Sequence, residues 1–216
     1  MPAKGRERAA EQQRGARRDS YRRGLGFFAI SLFALAVFWF VTRPPAPRPI
    51  PASAVRAATA AGCSVAARQF ESKPSRAHLS PGEDPHYTEH PTTAGAHNPI
   101  PLPSQPRIYT GPVDETASVH SLEHSAVIVY YRPVGDGGID QAVVDRLTAV
   151  VPTLPYTYLI PYPDLPAGQG LAITAWNMIQ TCPTSIPATS AETIVRGFTT
   201  AFACTRNAPE ARSGFC

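Results

Sequence analysis

The amino-acid sequence predicts an α+β fold: a small, mostly antiparallel sheet with two packed helices and a long loop region rich in histidine and proline, preceded by one transmembrane helix. Three observations lead to this prediction. An apolar run without charges lies near the N-terminus, and Ser72 to Pro112 shows no sustained hydrophobic period. Beyond that loop region, apolar β-branched runs alternate with amphipathic segments, as is typical of strands and helices that share a core.

The apolar run from Leu25 to Val41 has no charged residue, and it predicts a membrane-spanning helix over residues 24–42. The run is longer than the apolar core of a signal peptide, and no small-residue cleavage site follows it closely. We therefore expect an uncleaved anchor, with a cleaved signal peptide as the alternative. Residues 1–23 carry eight basic residues, which predict a disordered cytoplasmic tail. The rest of the chain is then extracytoplasmic, attached to the cell membrane by a single pass.

The formal net charge of +4 is a property of that tail. Residues 1–23 hold eight basic and three acidic residues, a net charge of +5, whereas the rest of the chain holds twelve basic and thirteen acidic residues, a net charge of −1. A near-neutral outer region argues against a globular domain that binds nucleic acid. The membrane is the partner that the charge distribution does indicate.

Prolines dominate residues 43–53 and predict a stiff linker between the membrane helix and the folded domain. The extracytoplasmic α+β domain then covers residues 54–216, which is long enough for one hydrophobic core. Local hydrophobic patterns and turn residues place its regular elements. In chain order, these are a strand over Ala126–Tyr131, a helix over Ile139–Val151, strands over Tyr156–Ile160 and Leu171–Thr181, and a helix that opens at a capping box over Thr189–Glu192 and runs to about Cys204.

All four cysteines lie on the proposed outer side of the membrane, where disulfides persist. An even count without a Cys-x-x-Cys motif favours two disulfides over a metal site built from thiolates. Four cysteines allow three pairings. We favour Cys63–Cys182 with Cys204–Cys216, because the first bridge would tie the start of the domain to the strand that carries Trp176.

The six histidines lie within 47 consecutive residues. His120 and His124 are four residues apart, so on a helical turn they face the same side and can share a metal ion. His97 lies in a glycine-containing bend that can turn its imidazole inward. Three neutral imidazoles suit Zn²⁺ or Cu²⁺. The alternative is that these histidines brace the loop through hydrogen bonds, and we expect His86 and His90 to be exposed and without a role.

The sequence gives little support for an enzyme. His120 to His124 reads His-x-x-Glu-His, a protease pattern in which Glu123 would be the general base. The context fits this pattern poorly, because the motif runs directly into a β-branched strand instead of continuing a long helix. Within the printed sequence there is no Gly-x-Ser-x-Gly motif, phosphate-binding loop or dinucleotide fingerprint. We therefore lean towards a protein without catalytic activity.

Three landmarks in this order resemble the bacterial, membrane-anchored family known as domain of unknown function 3105. Its members carry Pro-Thr-Ser-Gly-x-His, Val-His-x-Leu-Glu-His-Gly and a late Ala-Trp; the counterparts here are Pro91–His97, Val119–His124 and Ala175-Trp176. Among the departures from this pattern, Ala94 replaces the usual serine and Ser125 replaces the glycine after the second motif. The second departure puts a tight turn at that point in doubt.

The resemblance covers about residues 60–210 and implies that five residues form one shared feature: His78, His97, His120, Glu123 and His124. Some members also have Gly-Cys early and Thr-Cys-Pro late, which supports the bridge between Cys63 and Cys182. The family implies no activity.

We therefore expect an anchored extracytoplasmic protein that binds copper or zinc through His97, His120 and His124, with His78 as a candidate fourth ligand. Glu123 would not bind the metal itself but would accept a hydrogen bond from the N–H of a ligand imidazole and so orient that ring. The role would be accessory, in sequestration or delivery of the metal. The alternative is a non-enzymatic assembly subunit of an envelope or respiratory complex, with an envelope protein as partner and the histidines as structural residues.

Overall fold

The computed structural model describes residues 24–71, 75–211 and 216. The chain divides into two compact units, the first ending at Arg43 and the second covering Pro44–Cys216. The predicted cytoplasmic tail over residues 1–23 lies outside the described residues.

The first unit contains helix α1, which is described over Gly24–Thr42. Within the described residues it is the one helix that is long and apolar enough to cross a membrane. Its large apolar side chains are exposed, and Arg43 just beyond its end stacks on Trp39, 4.7 Å from the ring centroid. Length and composition fit both a membrane anchor and a signal sequence.

The second unit is built on a five-stranded sheet with the spatial order β1-β5-β4-β2-β3. Only β2 and β3 are parallel, and the other three neighbouring pairs are antiparallel. The predicted α+β class with a mostly antiparallel sheet is therefore confirmed. The strands are β1 Ala67–Arg68, β2 Val127–Tyr131, β3 Thr157–Pro161, β4 Gln169–Ala175 and β5 Met178–Pro183.

Four helices accompany the sheet, of which α4 and α5 are the two that the sequence predicts. The helices are α2 Ala52–Ala60, α3 Glu115–Glu123, α4 Gln141–Val150 and α5 Ala188–Phe202, with short 3-10 turns at Val134–Asp136 and Val151–Thr153. Because α2 and α3 are only nine residues long, neither shows enough helical periods to stand out in the sequence.

The alternating side chains of the sheet enter two separate hydrophobic clusters. Val127 and Val129 of β2 point to the face covered by α4 and α5. Ile128 and Tyr130 point to the opposite face, which packs against α3 and against side chains of the long loop region such as Leu102. The loop region is therefore part of the core on this side, and the histidines lie there.

One sequence prediction is wrong: Leu171–Thr181 is not a single strand. The chain reverses at Trp176 and Asn177, so that Ala175 pairs with Met178 across a two-residue hairpin turn. Asn177 has a φ of 55°, a left-handed conformation that asparagine tolerates better than most residues. The apolar residues on both sides hide this turn in the sequence.

The predicted capping box is also wrong. Helix α5 begins at Ala188, before the expected cap, and its N-cap residue Pro187 makes no side-chain capping bond. The Glu192 carboxylate instead accepts hydrogen bonds from Arg146 Nε at 2.5 Å and Arg196 Nε at 2.8 Å. Glu192, which the capping-box motif would place at the helix start, therefore forms an ion pair between α4 and α5 instead.

Two disulfides join Cys63 to Cys182 and Cys204 to Cys216, the pairing that the sequence favours. The first fastens the segment after α2 to β5. The proline-rich segment before α2 also contacts the domain, because Arg48 N donates to Ala201 O at 3.1 Å.

Replacing both Cys63 and Cys182 by alanine is expected to lower the free energy of unfolding by about 4–5 kcal/mol, because this bridge closes the longer loop. The Cys204–Cys216 bridge has a sequence separation of only 12 against 119, and its loss is expected to cost about 3 kcal/mol. Chemical denaturation of a Pro44–Cys216 fragment measures both. A larger cost for the second bridge would contradict the loop-closure explanation.

Gly197→Ala is expected to lower the free energy of unfolding by about 1–3 kcal/mol, although alanine favours helix formation. The reason is close packing: a Cβ atom at Gly197 of α5 would overlap the methyl group of Ala54 in α2. The matched control is Gly135→Ala, whose added methyl group meets no atom within 4 Å. The same denaturation measurement applies, and equal values for the two variants would exclude tight contact between α2 and α5.

Candidate metal centre

His78 and His97 come from two loop segments that lie side by side. A parallel bridge joins the segments, since Leu79 N donates to His97 O at 2.8 Å and His97 N donates to Ala77 O at 3.0 Å. These two backbone hydrogen bonds bring together histidines that are 19 positions apart in the sequence.

Helix α3 supplies His120 and Glu123 from one face, because residues three positions apart are neighbours on a helix. Asp114 fixes the start of the helix as its N-cap, with Oδ1 accepting a hydrogen bond from Thr116 N at 2.9 Å. His124 is the C-cap residue. The short helix therefore directs His120 and Glu123 towards the loop histidines, while His124 follows at its end.

Four side chains converge: each offers a ligand atom, and these atoms all lie within 4.8 Å of one another. The four are His78, His97, His120 and Glu123. The ring centroids of the three histidines form a nearly equilateral triangle, with separations of 5.3, 5.1 and 4.8 Å. Of the four converging residues, His97, His120 and Glu123 are buried, while His78 is exposed.

Two of the imidazoles are held by backbone carbonyl groups. His97 Nδ1 lies 2.9 Å from Gly95 O, and His120 Nδ1 lies 2.6 Å from Asn98 O. Because a carbonyl oxygen only accepts hydrogen bonds, Nδ1 carries the proton in both rings. In the neutral rings Nε2 then carries the lone pair, which is the arrangement that metal-binding histidines usually have.

Glu123 is ionised although its side chain is buried. Oε1 accepts a hydrogen bond from Arg76 Nε at 2.5 Å, and Oε2 lies 3.0 Å from His97 Nε2. Burial alone would raise the pKa of the Glu123 carboxyl, but the hydrogen bonds and charges of His97 and Arg76 hold it at about 2. The hydrogen bond to Glu123 in turn raises the pKa of Arg76.

His120 is adapted to remain neutral. Burial and the neighbouring imidazoles lower its pKa, although the hydrogen bond to Asn98 opposes the shift. Its Nε2 lies 2.8 Å from His124 Nε2, and the two rings stack. Since Nδ1 of His120 carries the proton, His124 is the donor in this contact when His120 is neutral.

The structure places Glu123 and His124 differently from the sequence expectation, in which His124 is a metal ligand and Glu123 only orients one. The carboxylate of Glu123 lies among the converging ligand atoms. His124 contacts His120 but is outside the group of converging atoms. The exposed His86 and His90 are also outside it, and each lies beside a carboxylate.

Two charged residues of this region, Arg76 and Glu71, have a role in the structure that the sequence does not predict. The Glu71 carboxylate is buried and organises the loop that leads to His97. It accepts hydrogen bonds from Thr88 N at 2.9 Å, Thr88 Oγ1 at 3.0 Å and Thr92 Oγ1 at 2.6 Å. No local pattern marks either residue, because their partners are distant in the sequence.

Packing beneath the same loop explains a glycine of the first family motif. Gly95 has a φ of 128°, and a Cβ atom there would lie 2.9 Å from the Tyr87 ring. The Tyr87 hydroxyl donates to Ala96 O at 2.5 Å. On the other side, the His97 ring meets the ring of Trp176 edge-on, with centroids 6.4 Å apart.

Ser125 shows how the chain accommodates the second departure from the family pattern. Its φ of 76° is the left-handed conformation that glycine adopts easily, so the turn forms despite the side chain. The Ser125 hydroxyl donates to Thr205 O at 3.0 Å and accepts from Thr205 N at 2.8 Å. These bonds fix the exit of α3 against the C-terminal segment.

Glu71→Gln is expected to lower the free energy of unfolding by about 2–3 kcal/mol, since a buried carboxylate that accepts several hydrogen bonds is replaced by a neutral group with its own donors. Faster amide hydrogen exchange at Thr88 and Glu89 should accompany the loss. The matched control is Glu89→Gln on the exposed side of the same loop. Unchanged exchange in the Glu71 variant would show that the carboxylate does not order the loop.

Comparison with known proteins identifies the family but no characterised relative. Residues 78–214 match the family described as Protein of unknown function (DUF3105). No curated protein and no solved structure shows a significant match to the chain. Because the family match covers well over half of the chain and includes all four converging residues, the chain belongs to the DUF3105 family, as its motifs predict.

Proposed function

We propose that this protein binds one divalent transition metal ion, copper or zinc, at His78, His97, His120 and Glu123. The metal is cargo that the protein sequesters or delivers, and the protein has no catalytic role. The observation that carries the proposal is the orientation of the two buried imidazoles, whose Nδ1 atoms are both bound to carbonyl oxygens.

Whenever the His97 ring is neutral, this orientation directs the lone pair of its Nε2 at the lone pairs of the Glu123 carboxylate. With Nδ1 of His97 protonated, the neutral ring directs its Nε2 lone pair at a carboxylate oxygen of Glu123 only 3.0 Å away. Such a contact needs a positive charge, either a proton on Nε2 or a metal ion between the two groups. A metal ion satisfies the lone pairs of both groups at once.

The spacing of the three rings also suits a shared ion. Metal–nitrogen bonds of about 2.0–2.1 Å in tetrahedral geometry place the centroids of bound imidazoles roughly 5 Å apart. The observed separations of 4.8 to 5.3 Å are close to this value. Small side-chain movements would bring the ligand atoms from their present separations to bonding distance.

The donor set favours zinc or Cu²⁺ over softer or harder ions. Imidazole nitrogens and one carboxylate suit these two metals, whereas Mg²⁺ and Ca²⁺ prefer oxygen alone. Thiolate ligation is excluded because all four cysteines form disulfides. The single ionised carboxylate leaves a net positive charge on the bound ion, which the neutral imidazoles stabilise.

We propose further that α1 is an uncleaved anchor and that the domain over residues 54–216 is extracytoplasmic. The disulfides support this placement, because such bridges persist outside the cytoplasm. The basic residues before α1 support a cytoplasmic N-terminus. The metal site would then handle copper or zinc at the outer face of the membrane.

Calorimetric titration of the metal-stripped full chain in detergent micelles with Zn²⁺ and Cu²⁺ tests the proposal. We expect one ion per chain, and an affinity at least about 100-fold lower in the His97→Ala/His120→Ala double variant, because two of its four ligands are lost. His86→Ala/His90→Ala is the control, with the same number of histidines removed outside the cluster. Circular dichroism establishes that both variants are folded.

Unchanged metal affinity in the His97→Ala/His120→Ala variant would refute the metal site. If that variant kept its affinity but lost stability, the histidines would be structural braces. A constant partner recovered from solubilised membranes would then favour the alternative role as an assembly subunit of an envelope complex.

A further inference from the structure

We infer that His78 is the ligand through which the metal ion enters and leaves, and that an acceptor takes the ion by replacing this histidine first. The inference rests on the proposed function and names the route of transfer and the chemistry of the recipient. The acceptor is a protein or small molecule with an imidazole or thiolate donor.

The four converging residues differ sharply in exposure. His97, Glu123 and His120 have 0%, 1% and 5% of their surface exposed, whereas His78 is an exposed residue. An incoming donor group therefore meets His78 before the other three. Ligand exchange at a buried residue would require the loop or α3 to move away.

The residues also differ in how firmly they are held. His97 and His120 are fixed through Nδ1 by backbone carbonyls, and Glu123 is fixed by Arg76. Within the described part of the chain, the His78 ring makes ring contacts with His97 and His120 but no hydrogen bond. Its ring can therefore rotate away from a bound ion by giving up these ring contacts alone.

The residues that follow His78 and His97 in the chain line an open groove. Leu79, the residue after His78, lines an open groove of about 470 Å³ together with Asn98, whose carbonyl fixes His120. Arg76 lies on the same segment and has 52% of its side chain exposed. Arg76 and His78, the two exposed residues of the candidate metal site, thus lie on one short segment, and this segment forms the solvent-accessible side of the site.

For Zn²⁺ the exchange changes no oxidation state, because this ion is not redox-active. The acceptor's nitrogen or sulfur atom forms a bond to the ion while the bond between the ion and the His78 nitrogen breaks. The ion keeps the same number of ligands throughout, because the three buried ligands remain bound during this step. Three further donor atoms of the acceptor can then displace Glu123 and the two remaining histidines one at a time.

Stopped-flow transfer of Zn²⁺ from the full chain in detergent micelles to a chromogenic pyridyl chelator tests this route. For the wild-type protein, the transfer rate should rise linearly with chelator concentration, because the acceptor takes part in the first step. His78→Ala should still bind one Zn²⁺ by calorimetry and should transfer it at least tenfold faster, since the entry position is open. His90→Ala, an exposed histidine outside the cluster, is the matched control and should behave as wild type.

Several results would overturn the inference while leaving the metal site intact. One is a loss of Zn²⁺ affinity in His78→Ala as large as that in the His97→Ala/His120→Ala variant, which would make His78 an equal ligand. Another is a wild-type transfer rate that does not depend on chelator concentration, which would mean that the ion leaves before the acceptor binds. A His78→Ala transfer rate equal to that of wild type would also exclude this route. If the wild-type chain binds no Zn²⁺, both the proposed function and this inference fail.

Discussion

The buried carboxylate of Glu123 is the group around which the histidine side of the domain is organised. A buried charge is costly unless it is paired, and here its partners come from different parts of the chain. Arg76 comes from the segment after the first disulfide-bound stretch, and His97 comes from the long loop. The backbone carbonyl of Glu123 also accepts a hydrogen bond from Glu210 N in the C-terminal segment. The ionised side chain thus holds two otherwise irregular segments against α3, and the backbone carbonyl of the same residue holds a third.

From residue 75 onward, acidic side chains of the long loop region and of its neighbours replace the hydrogen bonds of regular structure. Glu71 binds the turn at Thr88 and Thr92, and Glu115 accepts from Thr92 N at 2.7 Å. Backbone and hydroxyl donors in a loop must find acceptors when they are buried. Carboxylates satisfy several donors at once, which explains how a segment without helix or strand can cover one face of a sheet and position two histidines.

Most features that depend on local pattern were predicted from the sequence, whereas several that depend on distant contacts were not. The hydrophobic runs of β2 and α4 and the four-residue spacing of His120 and His124 are local, so they were visible. The positions of His78 and Arg76 depend on a backbone bridge and an ion pair with residues far along the chain, and no periodicity encodes them. The hairpin turn at Asn177 is local, but it was not predicted because the apolar residues on both sides of it read as one continuous strand.

Trp176 gives the domain an internal optical sensor. Its indole is almost fully buried, and its ring centroid lies 6.4 Å from that of His97. The chain has only one other tryptophan, Trp39, and that residue belongs to α1. Emission from the folded domain therefore comes from a single indole beside the candidate site. A paramagnetic ion such as Cu²⁺ at that site would quench this emission, whereas Zn²⁺ would leave its intensity largely unchanged. The fluorescence of the unlabelled protein therefore distinguishes the two metals.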